Sequence, residues 1–363
     1  MLLTMAANSL GDKERPKPIV SVIVPARNEE VCLGECLTSL LYQHGIDFEI
    51  IVVDDHSTDK TRQIAESYVG VQVIQADPLP TGWTGKNNAA HCGAKVAKGD
   101  WLLFTDADTV HRRGSLRHAV REAEEHDADL LSYSPKQDVV TFWERALMPV
   151  VFAELRNQYP PEKVRDPMSP IVAANGQYLL ISREAYNAVG GHAGVADRLL
   201  EDVELARKVK EAGAIVRFRY GRDAVKTRMY RSRRQMFEGW TKNLALLFPA
   251  TLKLALLRAG EFLVFLTGVG VTVFSFYRYS LHLFLIGLAI GVPSALNFFL
   301  RIRRAHFGWI NSILATAGLP MFVLLLLRSR NQYMQNDVVW KGRHYAPVPR
   351  AKTPPREEPV TAK

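Results

Sequence analysis

Up to about Tyr220, short apolar runs alternate with stretches in which apolar residues recur at helical spacing. This pattern predicts strands at residues 19–24, 49–53, 71–75, 101–105, 129–133, 177–181 and 215–218. Helices are expected between the early strands, near residues 29–43, 59–69, 87–98 and 114–125. The runs IVSVIV and EIIVVD are almost wholly apolar, as strands covered on both faces must be. Alternating strands and helices imply an α/β domain with a mostly parallel sheet flanked by helices. In such sheets ligands bind in the crevice beyond the carboxyl ends of the strands.

After Tyr220 the pattern changes. Arg222, Lys226, Arg228, Arg231, Arg233 and Arg234 form a basic collar broken by one acid, Asp223. Residues 244–257 follow, apolar except for Lys253 and interrupted by Pro249. They are expected to form an interfacial helix, short of a full crossing. From Phe262 to Leu300 the only charged residue is Arg278, and from Ala305 to Leu327 there is none. Three membrane-spanning candidates result, at residues 262–277, 281–300 and 309–327. The loop RIRRAHFG and the tail are both basic and expected on the cytoplasmic side. Three full crossings do not satisfy both, so either the third segment is re-entrant at Gly318-Leu319-Pro320 or residues 244–257 span. The expected organisation is a flexible start (1–18), an α/β domain (19–221), the collar and interfacial helix (222–260), the spanning region (261–327) and a basic, partly disordered tail (328–363).

Composition adds compartment and partners. The 363 residues carry 46 Lys and Arg against 37 Asp and Glu, a net charge of +9. The basic residues gather beside the apolar blocks, where anionic headgroups are a simpler partner than nucleic acid. The expected setting is a multi-pass protein of the inner cell membrane. Cys32, Cys36 and Cys92 have no zinc-site spacing and suit a reducing compartment. With no signal peptide legible at the start, the first domain is expected to remain cytoplasmic.

The polar clusters fall where the crevice rule places ligands. Pro25-Ala26-Arg27-Asn28-Glu29-Glu30 follows the first strand, Asp54-Asp55-His56-Ser57-Thr58-Asp59 the second, and Asp106-Ala107-Asp108 the fourth, while Glu201-Asp202 opens a helix. Singly, each acid also fits a helix cap or a first-turn position. Together, several carboxylates in one crevice are costly unless a cation or ligand offsets them. Asp106 and Asp108, hard oxygen donors at a strand tip, suit Mg²⁺ or Mn²⁺ with positions left for phosphate oxygens. Lys86 follows Gly82 and Gly85 at the start of a helix, a place that attracts anions, though GxxxxGK[ST] is absent. His91, His111 and His192 have no metal-binding spacing.

In this order and spacing, VSVIVPARNEE, IIVVDDHSTDKT, GKNNAA, LLFTDADT and LLEDVELA resemble glycosyltransferase family 2 over about residues 19–240. The resemblance implies a GT-A fold, Rossmann-like, followed by C-terminal transmembrane helices, and an inverting transfer from a nucleotide-sugar, most simply a UDP-sugar. It implies that Pro25, Asn28, Glu29 and one of Asp54 and Asp55 line the nucleotide site, with Lys86 near it. Asp106 would lie by the ribose or metal, with Asp108 the direct metal ligand. Asp202 would be the general base, with Glu201 as runner-up. PLPTGWTGK, NGQYLLISREAYNAVGGH and VVWKGRHY further resemble membrane-bound enzymes that glycosylate carotenoids or hopanoid-type lipids. His192 and Trp240 are expected on the acceptor side, Trp240 stacking on an acceptor or anchoring at the interface. Processive synthases carry Gln-x-x-Arg-Trp before their membrane helices; here Trp240 lies five residues after Gln235 and Glu238-Gly239 precede it. Transfer of a single sugar to a lipid is therefore expected, the alternative being a polyprenyl-phosphate glycosyltransferase or a polysaccharide-extending enzyme.

Overall fold

The computed structural model describes residues 19–335 and the backbone of two short strands beyond them. Among the described residues there are twelve strands: β1 (Val20–Ala26), β2 (Phe48–Asp54), β3 (Val71–Gln75), β4 (Trp101–Phe104), β5 (Thr109–His111), β6 (Leu130–Ser134), β7 (Lys136–Gln137), β8 (Leu179–Ser182), β9 (Val216–Tyr220), β10 (Val225–Thr227), β11 (Val338–Trp340) and β12 (Arg343–Tyr345). The helices of the first part are α1 (Leu33–Leu41), α2 (Thr61–Glu66), α3 (Gly85–Val96), α4 (Ser115–Glu125), α5 (Phe142–Gln158), α6 (Pro161–Arg165), α7 (Arg183–Ala188) and α8 (Glu201–Glu211). Then come α9 (Arg233–Leu247), α10 (Thr251–Tyr277), α11 (Leu281–Arg304) and α12 (Trp309–Met334).

Seven strands form one sheet in the order β3-β2-β1-β4-β8-β6-β9. Its β3-β2-β1-β4 half is parallel, β8 runs antiparallel to both neighbours, and β6 pairs parallel with β9. The near-continuous apolar runs are explained by burial on both faces. Val20, Val22 and Val24 of β1 join Ile50 and Val52 of β2 in one core, while Ile23, Ile51 and Val53 face the other. A small second sheet, β5-β10-β7, folds the residues after Asp108 back over the strand ends.

A third core gathers α5, α9 and the C-terminal helices around Leu147, Val151, Trp240, Leu244, Phe322 and Leu326. Helices α10, α11 and α12 are each long and apolar enough to cross a membrane. Of the tail expected over 328–363, residues 328–334 continue α12 and β11 pairs antiparallel with β12, while the rest of it and the first 18 residues lie outside the described residues.

The C-terminal half departs from two sequence expectations. Residues 244–257 do not form one interfacial helix: α9 ends at Leu247, and α10 begins at Thr251 and runs unbroken into the apolar block. Pro249 marks the break because it cannot continue the preceding helix. Conversely, Gly318-Leu319-Pro320 does not break α12. Gly318 lies against the backbone of Ala146 in α5, so close that a Cβ there would overlap its carbonyl. The glycine thus serves helix contact. A third association is ionic: Glu154 of α5 meets Arg258 of α10 at 3.0 Å and Arg301 of α11 at 3.3 Å, and Glu261 pairs with both arginines at 2.8 Å.

Candidate active site

At the carboxyl end of the parallel strands lies a crevice of about 640 Å³ that continues to α5 and α9. Its first wall is the turn after β1. Asn28 has φ 54°, a left-handed conformation that Asn tolerates better than most residues. Its Oδ1 accepts from the Thr58 N–H at 2.9 Å, and its own N–H donates to Ser57 Oγ at 3.1 Å. The Glu29 N–H donates to Thr61 Oγ1 at 2.7 Å. The loops after β1 and β2 are thereby laced into one rim, and Pro25, Asn28 and Glu29 line the crevice. Asp54 and Asp55 part ways: Asp55 lines the crevice beside Arg27, at 3.6 Å, whereas Asp54 is buried and accepts from the Ser57 N–H.

Lys86 sits in the first turn of α3. Thr84 caps that helix by accepting from the Asn87 N–H, and Asn87 Nδ2 donates to the carbonyls of Val195, Ala196 and Arg198 at 2.7–3.1 Å. GKNNAA is therefore partly a structural staple, binding the start of α3 to the loop that leads into Glu201. Lys86 Nζ lies 2.7 Å from Asp106 Oδ1 and 2.8 Å from Glu201 Oε1. These carboxylates, with Asp202, hold its ammonium well above the usual lysine range despite the cost of burial.

Asp202 stands in the first turn of α8. Its Oδ2 accepts from the Gly176 N–H at 2.7 Å and its Oδ1 from the Val203 N–H at 2.8 Å. Burial, reinforced by the Glu201 charge, pushes its pKa up to about 7; Lys86 and the two amides oppose the rise without cancelling it. A carboxyl poised there exchanges a proton readily near neutrality.

Asp106 and Asp108 both line the crevice at the tip of β4. The turn is fixed from below, where Thr227 Oγ1 donates to the Asp108 carbonyl at 3.1 Å. Among the described residues no group of three or more His, Cys, Asp or Glu side chains gathers as a complete metal cage. The pair nevertheless has the chemistry for a cation that draws its remaining ligands from phosphates.

The two residues expected on the acceptor side are both largely buried, and Trp240 also lines the crevice. Trp240 is 2% exposed, with its ring against Phe152 and Tyr230 and its Nε1 donating to Met148 Sδ. It is a core residue of the α5–α9 contact, because α9 turns its aromatic face inward against α5. His192 is buried behind the crevice, against Phe104 and hydrogen-bonded to Tyr186, and burial lowers its pKa to about 3. His111 is likewise buried, 3.1 Å from Thr105 Oγ1.

Sequence reasoning missed Gly176 and Lys242. Gly176 lies in the quoted NGQY stretch, but its task is a backbone N–H and the lack of a side chain, which the residue type alone does not announce. Lys242, on α9, lines the same crevice among the charges of Glu201, Lys86, Asp202 and Asp106.

Residues 21–190 match the sequence family described as glycosyl transferase family 2. A 4,4'-diaponeurosporenoate glycosyltransferase of Staphylococcus aureus is 30% identical over 234 residues, 62% of this chain and 60% of its own length, so the match spans less than two thirds of that relative. A protein of the same name from Staphylococcus haemolyticus is 29% identical over 348 residues, 90% of this chain and 88% of its own. Among solved structures, the mannosyltransferase PcManGT from Pyrobaculum calidifontis, in complex with GDP-Man and Mn²⁺, is 19% identical with a TM-score of 0.52, covering 87% of each chain. That last likeness is one of fold. Residues 21–190 are thus similar to glycosyl transferase family 2, and the sheet order and the structural likeness give the chain a GT-A fold.

Proposed function

We propose that the protein transfers a single sugar from a UDP-sugar to a lipid acceptor in one inverting displacement, at the cytoplasmic face of the membrane. The observation that carries this reading is the placement of Asp202: its carboxyl is held by two backbone amides in a crevice that runs from the β1–β2 rim to the membrane-side helices, where burial and the Glu201 charge push its pKa upward. The curated relatives are named for glycosylating 4,4'-diaponeurosporenoate, which supports an apolar acceptor.

Pro25, Asn28, Glu29 and Asp55 take the nucleotide, with Asp54 shaping the turn beneath it. Lys86 places a positive charge beside the diphosphate. Asp108, with Asp106, would hold Mg²⁺ or Mn²⁺, which when bound neutralises the departing diphosphate as a Lewis acid. Asp202 accepts the proton of an acceptor hydroxyl as its oxygen closes on the anomeric carbon, so no covalent intermediate on the protein is needed. Glu201 is committed to Lys86 and serves by raising the Asp202 pKa. An oxocarbenium-like transition state is expected for this chemistry. Three apolar helices and a basic collar keep the crevice at the bilayer surface.

The test is the Asp202→Asn variant assayed for UDP release and for UDP binding. Loss of turnover by about 10²-fold or more with UDP affinity kept supports the assignment. Unchanged turnover contradicts it.

A further inference from the structure

The three apolar helices stand differently against the rest of the fold. In α10 and α11, 11% of the most apolar stretch is buried, whereas in α12 the share is 39%. Helices α10 and α11 pair as a hairpin in which Gly268 lies on Gly291 and Gly287 on Thr272. The outer flanks of that hairpin are apolar and exposed, as at Leu263, Val273, Leu285 and Leu296. Its base carries Arg258, Glu261 and Arg301, joined to Glu154 of α5, and its tip carries Arg278. Charge at both ends of an apolar pair is the layout of a two-helix crossing.

Helix α12 is laid out otherwise. From Ser312 to Ser329 a buried residue recurs every few positions, so one whole face is covered. At its start, Arg156 Nη1 of α5 donates to His306 Nε2 at 2.9 Å, and Phe307 packs on Phe152. Midway, Gly318 meets Ala146 of α5 and Phe322 meets Phe248. At its end, Ser329 Oγ accepts from the Ala245 N–H at 2.9 Å, and Tyr333 Oη donates to the Lys242 carbonyl at 2.7 Å. The 26 residues of α12 are about 39 Å long, more than the ~30 Å hydrocarbon core of a bilayer. Yet Phe152, at one end, and Lys242, at the other, line the same crevice as the carboxylates. Helix α5 alongside also holds an ion pair near each end, Glu144 with Arg228 and Glu154 with Arg258. If α12 crossed, one set of these charged partners would be carried through the bilayer at high cost.

The outer face of α12 shows what it meets. Trp309, Ile310, Ile313, Leu324 and Leu327 are exposed along one stripe of the helix. Exposed arginines flank the stripe at both ends, Arg303 and Arg304 before it, Arg328 and Arg330 after it. An apolar stripe with basic groups at both ends and a Trp at one fits a leaflet that bears anionic headgroups. It also continues the apolar surface of α10, which packs beside α12.

We propose that α10 and α11 cross the membrane while α12 lies in the plane of the leaflet on the crevice side, its Ile313–Leu324 stripe in lipid and its opposite face beneath α5 and α9. Two crossings return the chain to the side it came from, so the basic loop after α11 and the basic tail both lie on the side of the crevice. The helix then acts as a floor that fixes the height of the crevice over the leaflet. The inference concerns the membrane surface alone and does not depend on the chemistry at Asp202.

The experiment uses the full chain with one added cysteine at a time. Val69→Cys reports the α/β domain, Tyr279→Cys the tip of the hairpin and Ala351→Cys the tail; Val69 and Tyr279 are 94% and 97% exposed, and the native cysteines are buried. Spheroplasts of expressing bacteria are treated with a membrane-impermeant maleimide before and after lysis, the unsubstituted protein giving the blank. Position 279 should label in intact spheroplasts, and positions 69 and 351 only after lysis. Labelling of 351 together with 279 means that α12 crosses, and labelling of 279 together with 69 means that the hairpin does not; either overturns the proposal. Nitroxides on Ile313→Cys and Leu324→Cys, in nanodiscs containing anionic lipid, then report depth through collisions with oxygen and a water-soluble nickel chelate. UDP affinity equal to wild type shows that each variant is folded. The two labels should sit at one depth near the headgroups. A depth difference of about 16 Å, the rise over eleven residues, is the signature of a crossing helix and contradicts the proposal, as do two labels wholly in water.

Discussion

The Gly176 N–H donates to Asp202 Oδ2 at 2.7 Å, which ties the loop before β8 to the first turn of α8. The same glycine leaves room for the ion cluster: a Cβ there would lie 2.8 Å from Lys86 Nζ and 3.3 Å from Glu201 Oε1. Gly176→Ala therefore pushes the ammonium off its carboxylates without touching the core. Turnover should fall about tenfold or more, with the thermal midpoint little changed; a fully active Gly176→Ala enzyme would show that the cluster has slack.

With an alcohol acceptor, the pH profile should follow Asp202. A base with a pKa near 7 gives a kcat/KM that rises with pH through about 7 and levels off above it. Glu201 contributes to the raised value by its charge, so Glu201→Gln should move the acidic limb to lower pH. A limb that stays in place in Glu201→Gln would assign the titration to another group.

The same carboxyl has a stability signature of definite sign. Its folded pKa, about 7, exceeds the ordinary 3.8, so between those values the folded protein binds more protons than the unfolded chain and stability falls as pH rises. Asp202→Asn removes this cost. It should raise Tm relative to wild type at pH 8, and the gain should vanish below about pH 4. Calorimetry at the two pH values checks it; an equal gain at both would be unrelated to titration.

Trp240 and the ion quartet are predicted to act on stability. Trp240→Ala empties a buried site between Phe152 and Tyr230 and should cost about 3–5 kcal/mol. Selective loss of acceptor affinity at unchanged stability would instead make it a binding platform. Glu154→Gln leaves Arg258 and Arg301 short of a buried counter-charge and should cost about 3–5 kcal/mol, read as a lowered Tm in detergent.

Much of this was legible in the sequence, for identifiable reasons. Strands β1 and β2 announce themselves because burial on both faces demands unbroken apolar runs, and acids following such runs mark the crevice. The observed β6, β8 and β9 begin one or two residues later than expected, since strand ends carry no periodic signal. Helix α5 was not read at all: its residues are buried almost all round from Ala146 to Glu154, and Pro149 lies inside it, so neither an amphipathic period nor a clean boundary survives. The packing of Trp240 against α5 was not legible, because an aromatic beside a membrane segment looks the same in sequence whether it faces the interface or a neighbouring helix. Gly176 and Lys242 became visible only when folding brought residues 86, 106, 176, 201 and 242 into one crevice.

The most direct measurement of the central claim is mass spectrometry of total lipids from membranes containing the wild type or Asp202→Asn. The membranes are supplied with UDP-glucose, UDP-N-acetylglucosamine, Mn²⁺ and a mixed carotenoid and hopanoid extract, with EDTA as the metal-free control. A lipid heavier by one hexose or one N-acetylhexosamine, formed by the wild type with Mn²⁺ and absent with EDTA, is the predicted result. Dependence of that product on Asp202 is part of the prediction; a product formed equally by Asp202→Asn would contradict the assignment of Asp202 as the base. UDP release into a sugar polymer with no monoglycosylated lipid would contradict single-sugar transfer to a membrane lipid.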